Sequence, residues 1–183
     1  MAEQQPVDDG SRASAKPTRA QVLAFLHNGI NMMKSPETRG LLKDKNLCEA
    51  PGKKLIDLQR REWDDLGIDQ DLGCSYLNAI ETMFPGDKEL VETRAMYINT
   101  AQRSFLLSLE DRQPERLERK KPMPRDAIIE FFDACNTKMD LPETHERLIK
   151  HMQKTKRLPN EIIINIQRDL LEVLGIERDH GCA

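Results

Sequence analysis

Asp69-Gln70-Asp71-Leu72-Gly73 sets two carboxylates two residues apart ahead of a glycine, which is how a calcium-binding EF-hand loop begins. The template then fails, because its turn glycine is Cys74 and its bidentate glutamate is Ile80. A second stretch, Glu177-Arg178-Asp179-His180-Gly181, places an arginine among the would-be ligands. Helix capping explains these acids better, since a carboxylate accepts hydrogen bonds from the free N–H groups of a helix start. Asp71 and Asp179 are the expected caps. No metal site and no cofactor are expected.

Cys74 and Cys182 are the candidate reactive thiols. Each follows a glycine near an expected helix N-terminus, where partial positive charge favours a thiolate. The competing reading is a small apolar residue closing a tight turn. Cys48 and Cys135 have no counterparts in this pattern. His27, His145, His151 and His180 form neither H-E-x-x-H nor a metal-spaced pair with cysteine. Basic clusters occur at Lys150, His151, Lys154, Lys156 and Arg157, and over residues 116–125. Acidic residues lie among or beside them and no stacking aromatics are interleaved, so a solvated face is expected and no nucleic acid.

The elements that position these residues come from a sequence that repeats. QRREWDDLGIDQDLGC, residues 59–74, returns as QRDLLEVLGIERDHGC, residues 167–182, at a shift of 108. AQVLAFLHNGINMMKSPET, from Ala20, aligns with DAIIEFFDACNTKMDLPET, from Asp126, at a shift of 106. Such self-similarity is the mark of a duplicated structural unit. Leu55, Leu58, Trp63 and Leu66, like Ile163, Ile166, Leu171 and Leu174, fall at helical spacing. Gly67 and Gly175 stand where such a helix stops, because glycine accepts positive φ and the next apolar residue folds back on the last turn.

Aromatic residues are 4 % of the chain and charged residues 32 %, with few β-branched runs, which favours an all-α protein with a charged exterior. The net charge of −3 gives no general attraction to nucleic acid or to an anionic membrane. No apolar run is long enough to span a bilayer, and the start lacks a signal-peptide pattern. Four cysteines without C-x-x-C spacing read as free thiols in a cytoplasmic protein.

The expected organisation is a disordered tail over residues 1–16, one helical repeat over 17–86, a long connecting helix with a charged hinge over 87–123, and a second repeat over 124–183. In the first repeat, helices are expected from Val22, from Pro36 through Leu47, from after the Pro51-Gly52 break to Leu66, and from after Asp71 through Phe84. The connecting helix should run from Asp87 to about Asp111, burying Val91, Ala95, Ile98, Phe105 and Leu109. Pro122 and Pro124 end any helix there. The second repeat should hold three helices, the last capped by Asn160. It lacks a counterpart to the fourth helix of the first repeat, so the connecting helix or another chain should cover the face left open.

G-x-x-L-x-x-L-x(4)-W-x-x-L-G-I, residues 52–68, resembles the C-terminal half of a SAM domain, a helical module that self-associates or binds partner modules. The resemblance covers about seventeen residues. It departs from the family in lacking the N-terminal tryptophan-leucine helix, in the longer spacing from Gly67 to Gly73, and in having Gln59 and Gln167 where a Ser/Thr cap is usual. It implies at most a fold-level analogy.

The fold expected is thus all-α, an internally duplicated helical bundle of two three-to-four-helix units joined by a long helix. With no nucleophile–base or paired-acid set, the leading expectation is a non-enzymatic protein–protein interaction or assembly subunit, by self-association or with another chain. Trp63, Tyr97 and Phe105 are the candidate interaction residues, large aromatics being enriched at binding hot spots. The alternative is a carrier of a small apolar ligand, its pocket lined from Met32, Met33, Met83, Met96, Met139 and Met152.

Overall fold

The computed structural model describes residues 16–179, and among these the chain is all-helical. The elements are α1 (Arg19–Lys34), α2 (Pro36–Lys43), α3 (Pro51–Asp65), α4 (Gln70–Asn78), α5 (Ile80–Met83), α6 (Lys88–Glu110), α7 (Arg125–Asp140), α8 (Pro142–Thr155) and α9 (Asn160–Val173). The tail expected over 1–16 lies, except for Lys16, outside the described residues, and so do His180, Gly181 and Cys182.

The longest helix, α6, organises the rest. It lies along α1 more extensively than along any other element and also meets α2, α3, α5 and α7. The α1–α6 pair is parallel. Arg19, at the start of α1, donates to the α6 N-cap Asp87 at 2.6 Å and also to Glu89. Near the far end, Ser104 Oγ donates to the Met33 carbonyl at 3.3 Å. Arg39 of α2 then reaches Asp111, the residue closing α6, at 2.8 Å. Close approach depends on Gly29, where a Cβ would fall 2.5 Å from the Tyr97 ring.

The buried face of α6 differs from the expected stripe. Val91 and Ile98 face solvent, while Leu90, Thr93, Tyr97, Thr100 and Ser108 are buried alongside Phe105 and Leu109. Small hydroxyl residues let α1 come near, and their hydroxyls return to the helix: Thr100 donates to the Met96 carbonyl at 2.8 Å and Ser108 to that of Phe105 at 2.6 Å. Around them the core closes on one ring stack. Phe25 and Trp63 lie 3.8 Å apart and nearly parallel at 8°, with Tyr97 5.3 Å from Phe25. Gly73 of α4 sits on the indole, where a Cβ would come within 2.3 Å.

Local signals set the helix ends. Pro36 and Pro142 occupy the first turns of α2 and α8, where a missing N–H costs nothing. Gly67 and Gly175 adopt φ of 73° and 86°. The following N–H groups close the turns, Ile68 to the Trp63 carbonyl at 3.0 Å and Ile176 to that of Leu171 at 2.9 Å. Several expected boundaries need correction. Asp69, not Asp71, caps α4, accepting from the N–H groups of Asp71 and Leu72 at 3.0 Å each. Asp71 lies inside the first turn and pairs with Arg60 at 3.5 Å. Pro159 precedes α9 as its N-cap and Asn160 is already helical, without a side-chain cap. The helix expected from Asp71 to Phe84 breaks at Ala79 into α4 and α5. α2 stops at Lys43, where Asp44 bonds the Asn46 N–H and leaves Leu47 in solvent.

The segment expected as a hinge is tied down. Glu118 N–H donates to the Gly175 carbonyl at 2.7 Å, and its own carbonyl accepts from Glu177 N–H at 3.0 Å. Its carboxylate accepts from the N–H groups of Arg119, Lys120 and Lys121. Those three donors hold it below the usual glutamate range.

Candidate interaction surface on helix α7

The three aromatic residues singled out from the sequence are interior. Trp63 is 0 % exposed, Tyr97 3 % and Phe105 8 %. Trp63 and Tyr97 meet around Phe25 in one cluster, while Phe105 packs near the start of α3, against Gly52. Their apolar surface is used within the core by α1, α3 and α6. Among the described residues no group bonds Trp63 Nε1 or the Tyr97 hydroxyl, and burial pushes the Tyr97 phenol well above its ordinary value.

Cys74 is the fifth residue of α4 and half-buried against the core. It therefore lies a turn inside the helix, and two of the N–H groups at that terminus already bond Asp69. The terminal-charge argument for a reactive thiol is not met by this placement. Cys48 and Cys135 are buried, and desolvation raises both thiols, Cys135 to about 11. Cys182 lies outside the described residues. Among the described residues, no group of three or more His, Cys, Asp and Glu side chains is placed to hold a metal ion.

The methionines do not converge. Met33 is in the core, Met96 and Met152 are exposed, and Met32, Met83 and Met139 are part-buried on different helices. A cleft of about 300 Å³ between α1, α2 and α6 has Met33 as its single methionine.

The helix from Arg125 was expected, but its exposed apolar face was not. Ile128 is 40 % exposed, Ile129 45 % and Phe132 58 %, while the same helix buries Ala134 and Cys135. A hollow of about 320 Å³ opens beside them, lined by Ile128, Phe131, Phe132, Leu171 and Ile176 under Pro122 and Met123 of the connector. Phe131 and Phe132 meet edge to face at 5.5 Å. The signal was present in IIEFF, residues 128–132, since four large apolar side chains in five positions wrap past the single face a surface helix buries. Arg125, opening α7, is exposed and has no ion-pair partner among the described residues.

Comparison with known proteins gives no match: no protein-family model, no curated protein and no solved structure resembles the chain. The α7 surface therefore rests on its own geometry. No helix among the described residues is long and apolar enough to cross a membrane.

Proposed function

We propose that this protein is a non-enzymatic interaction or assembly subunit, built from two copies of one helical unit over residues 17–86 and 124–183, with α6 and the connector over 87–123 between them. Matched details support the two-copy reading. α1 and α7 have equal lengths of 16 residues. Thr38 and Thr144, at the same place in α2 and α8, are both buried. Arg60–Asp71 and Arg168–Asp179, again 108 apart, are both ion pairs at 3.5 Å.

One observation carries the function: the apolar row of Ile128 and Phe132 on α7, exposed beside a hollow. Contiguous exposed apolar surface beside a recess is what a protein-binding site presents. The partner is another protein chain. The unpaired thiols of Cys48, Cys74 and Cys135 support a cytoplasmic setting. A photo-crosslinking residue at position 132 should capture a discrete protein adduct in native extract, whereas the same residue on the solvent face of α6, at Met96, should not. Equal labelling at the two positions, with a protein that stays monomeric, would remove the reading. A carrier would instead keep an apolar ligand through gentle isolation, and the scattered methionines do not favour it.

A further inference from the structure

We infer that α7 docks an amphipathic helix of a partner protein, lying parallel to α7 and bearing an acidic N-cap or first turn that pairs with Arg125. The inference rests on the two-copy reading and names the partner chemistry of the same surface. At the shift of 106, Arg125, Ile128, Phe131 and Phe132 stand where α1 has Arg19, Val22, Phe25 and Leu26. At the shift of 108, Leu171 and Ile176 stand where Trp63 and Ile68 stand.

In the first unit these positions are all occupied. Val22, Phe25, Leu26 and Trp63 are 0 % exposed, covered by α6 and α4. Arg19 holds Asp87 at 2.6 Å and Glu89 beside it, fixing the α6 N-terminus at the head of α1. In the second unit Leu171 and Ile176 are buried as well, but Ile128 and Phe132, the counterparts of Val22 and Leu26, are 40 % and 58 % exposed beside the hollow, and Arg125 has no ion-pair partner among the described residues. α6 cannot fill the hollow, because α6 is already laid along α1.

The charge pattern selects the occupant. A helix N-terminus with an aspartate cap and a glutamate in its first turn suits a guanidinium, and α6 shows the arrangement on Arg19. Two α7 helices paired side by side and parallel about a two-fold axis would set Arg125 against Arg125, so the parallel geometry calls for a different helix. The partner segment should carry Asp or Glu at its start, then leucine and an aromatic seven residues apart on one face, as Leu90 and Tyr97 are on α6.

The test uses a fluorescent peptide copying residues 87–104, blocked at both ends because short helices are marginal alone in water. Saturable binding to the full chain is expected, weakened about tenfold or more by Arg125→Glu and by Phe132→Asp. Both substitutions fall on exposed side chains, so an unchanged melting temperature verifies that each variant folds. Replacing the peptide residues equivalent to Asp87 and Glu89 with their amides should weaken binding no further in the Arg125→Glu background. Binding indifferent to both protein substitutions means that the peptide displaces α6 from α1, and it overturns the inference. No binding, together with concentration-dependent dimers abolished by Phe132→Asp, assigns the groove to a second copy; that outcome overturns the inference but keeps the interaction reading. No binding, a monomer and no adduct at position 132 would remove both.

Discussion

Tyr97→Phe should leave the melting temperature unchanged or raise it, because the deleted hydroxyl is buried and bonds nothing among the described residues. Trp63→Ala, by contrast, removes the ring stacked on Phe25 and should cost about 3–5 kcal/mol in denaturant unfolding. Gly73→Ala should be nearly as disruptive as a large core deletion, although alanine favours helix, because its methyl group would fall inside the indole. At Glu130 burial raises the carboxyl above its ordinary value. The sign follows from linkage: the folded state holds this proton more tightly, so the group loses stability as pH rises through its raised value. Glu130→Gln should therefore melt higher than the parent at pH 7 and level with it near pH 4, as calorimetry at the two pH values would read. Thiol labelling of the native protein should reach Cys74 before Cys48 and Cys135, both of which are buried. Equal rates for the three would show that Cys74 is packed as tightly as they are.

Helices were legible where one chemical signal dominated. Pro36 and Pro142 mark two helix starts and Gly67 and Gly175 mark two helix ends, since proline and glycine act through backbone geometry that no neighbour changes. The inner face of α6 was not legible, because Thr93, Thr100 and Ser108 count as polar by hydropathy yet are buried for their small size. Nor was the split between α4 and α5, which no proline or glycine announces. The candidate surface was hidden for a related reason: exposure is decided by what a face meets, and hydropathy alone does not separate an exposed Ile128 or Phe132 from a buried one. Gly29→Ala tests the account of α6. It should destabilise by about 1–3 kcal/mol through contact with Tyr97, and most of the loss should vanish in a Tyr97→Leu background. The connector offers a second test. Glu118→Gln removes the anion that three N–H groups share, so amide exchange over residues 118–121 should quicken while α6 stays protected.

Taken as one body, the molecule closes on carboxylates held below their ordinary range. Asp87 is lowered by Arg19, Asp111 by Arg39 and Glu118 by backbone donors. Depressed carboxyls contribute stability above their unfolded value, near pH 4, and lose it as pH falls through the folded one. The melting temperature should fall most steeply below pH 4, and less steeply in an Arg19→Leu, Glu118→Gln double variant. The parallel α1–α6 pair has a consequence for how the chain is made. Arg19 meets a residue 68 positions later and Arg39 one 72 later, so the main interface closes only after a long stretch of intervening chain has been synthesised. A nascent chain that has emerged only as far as Gly86 can already stack Phe25 on Trp63 under Gly73, but Tyr97 and the long face that α6 lays along α1 are still to come.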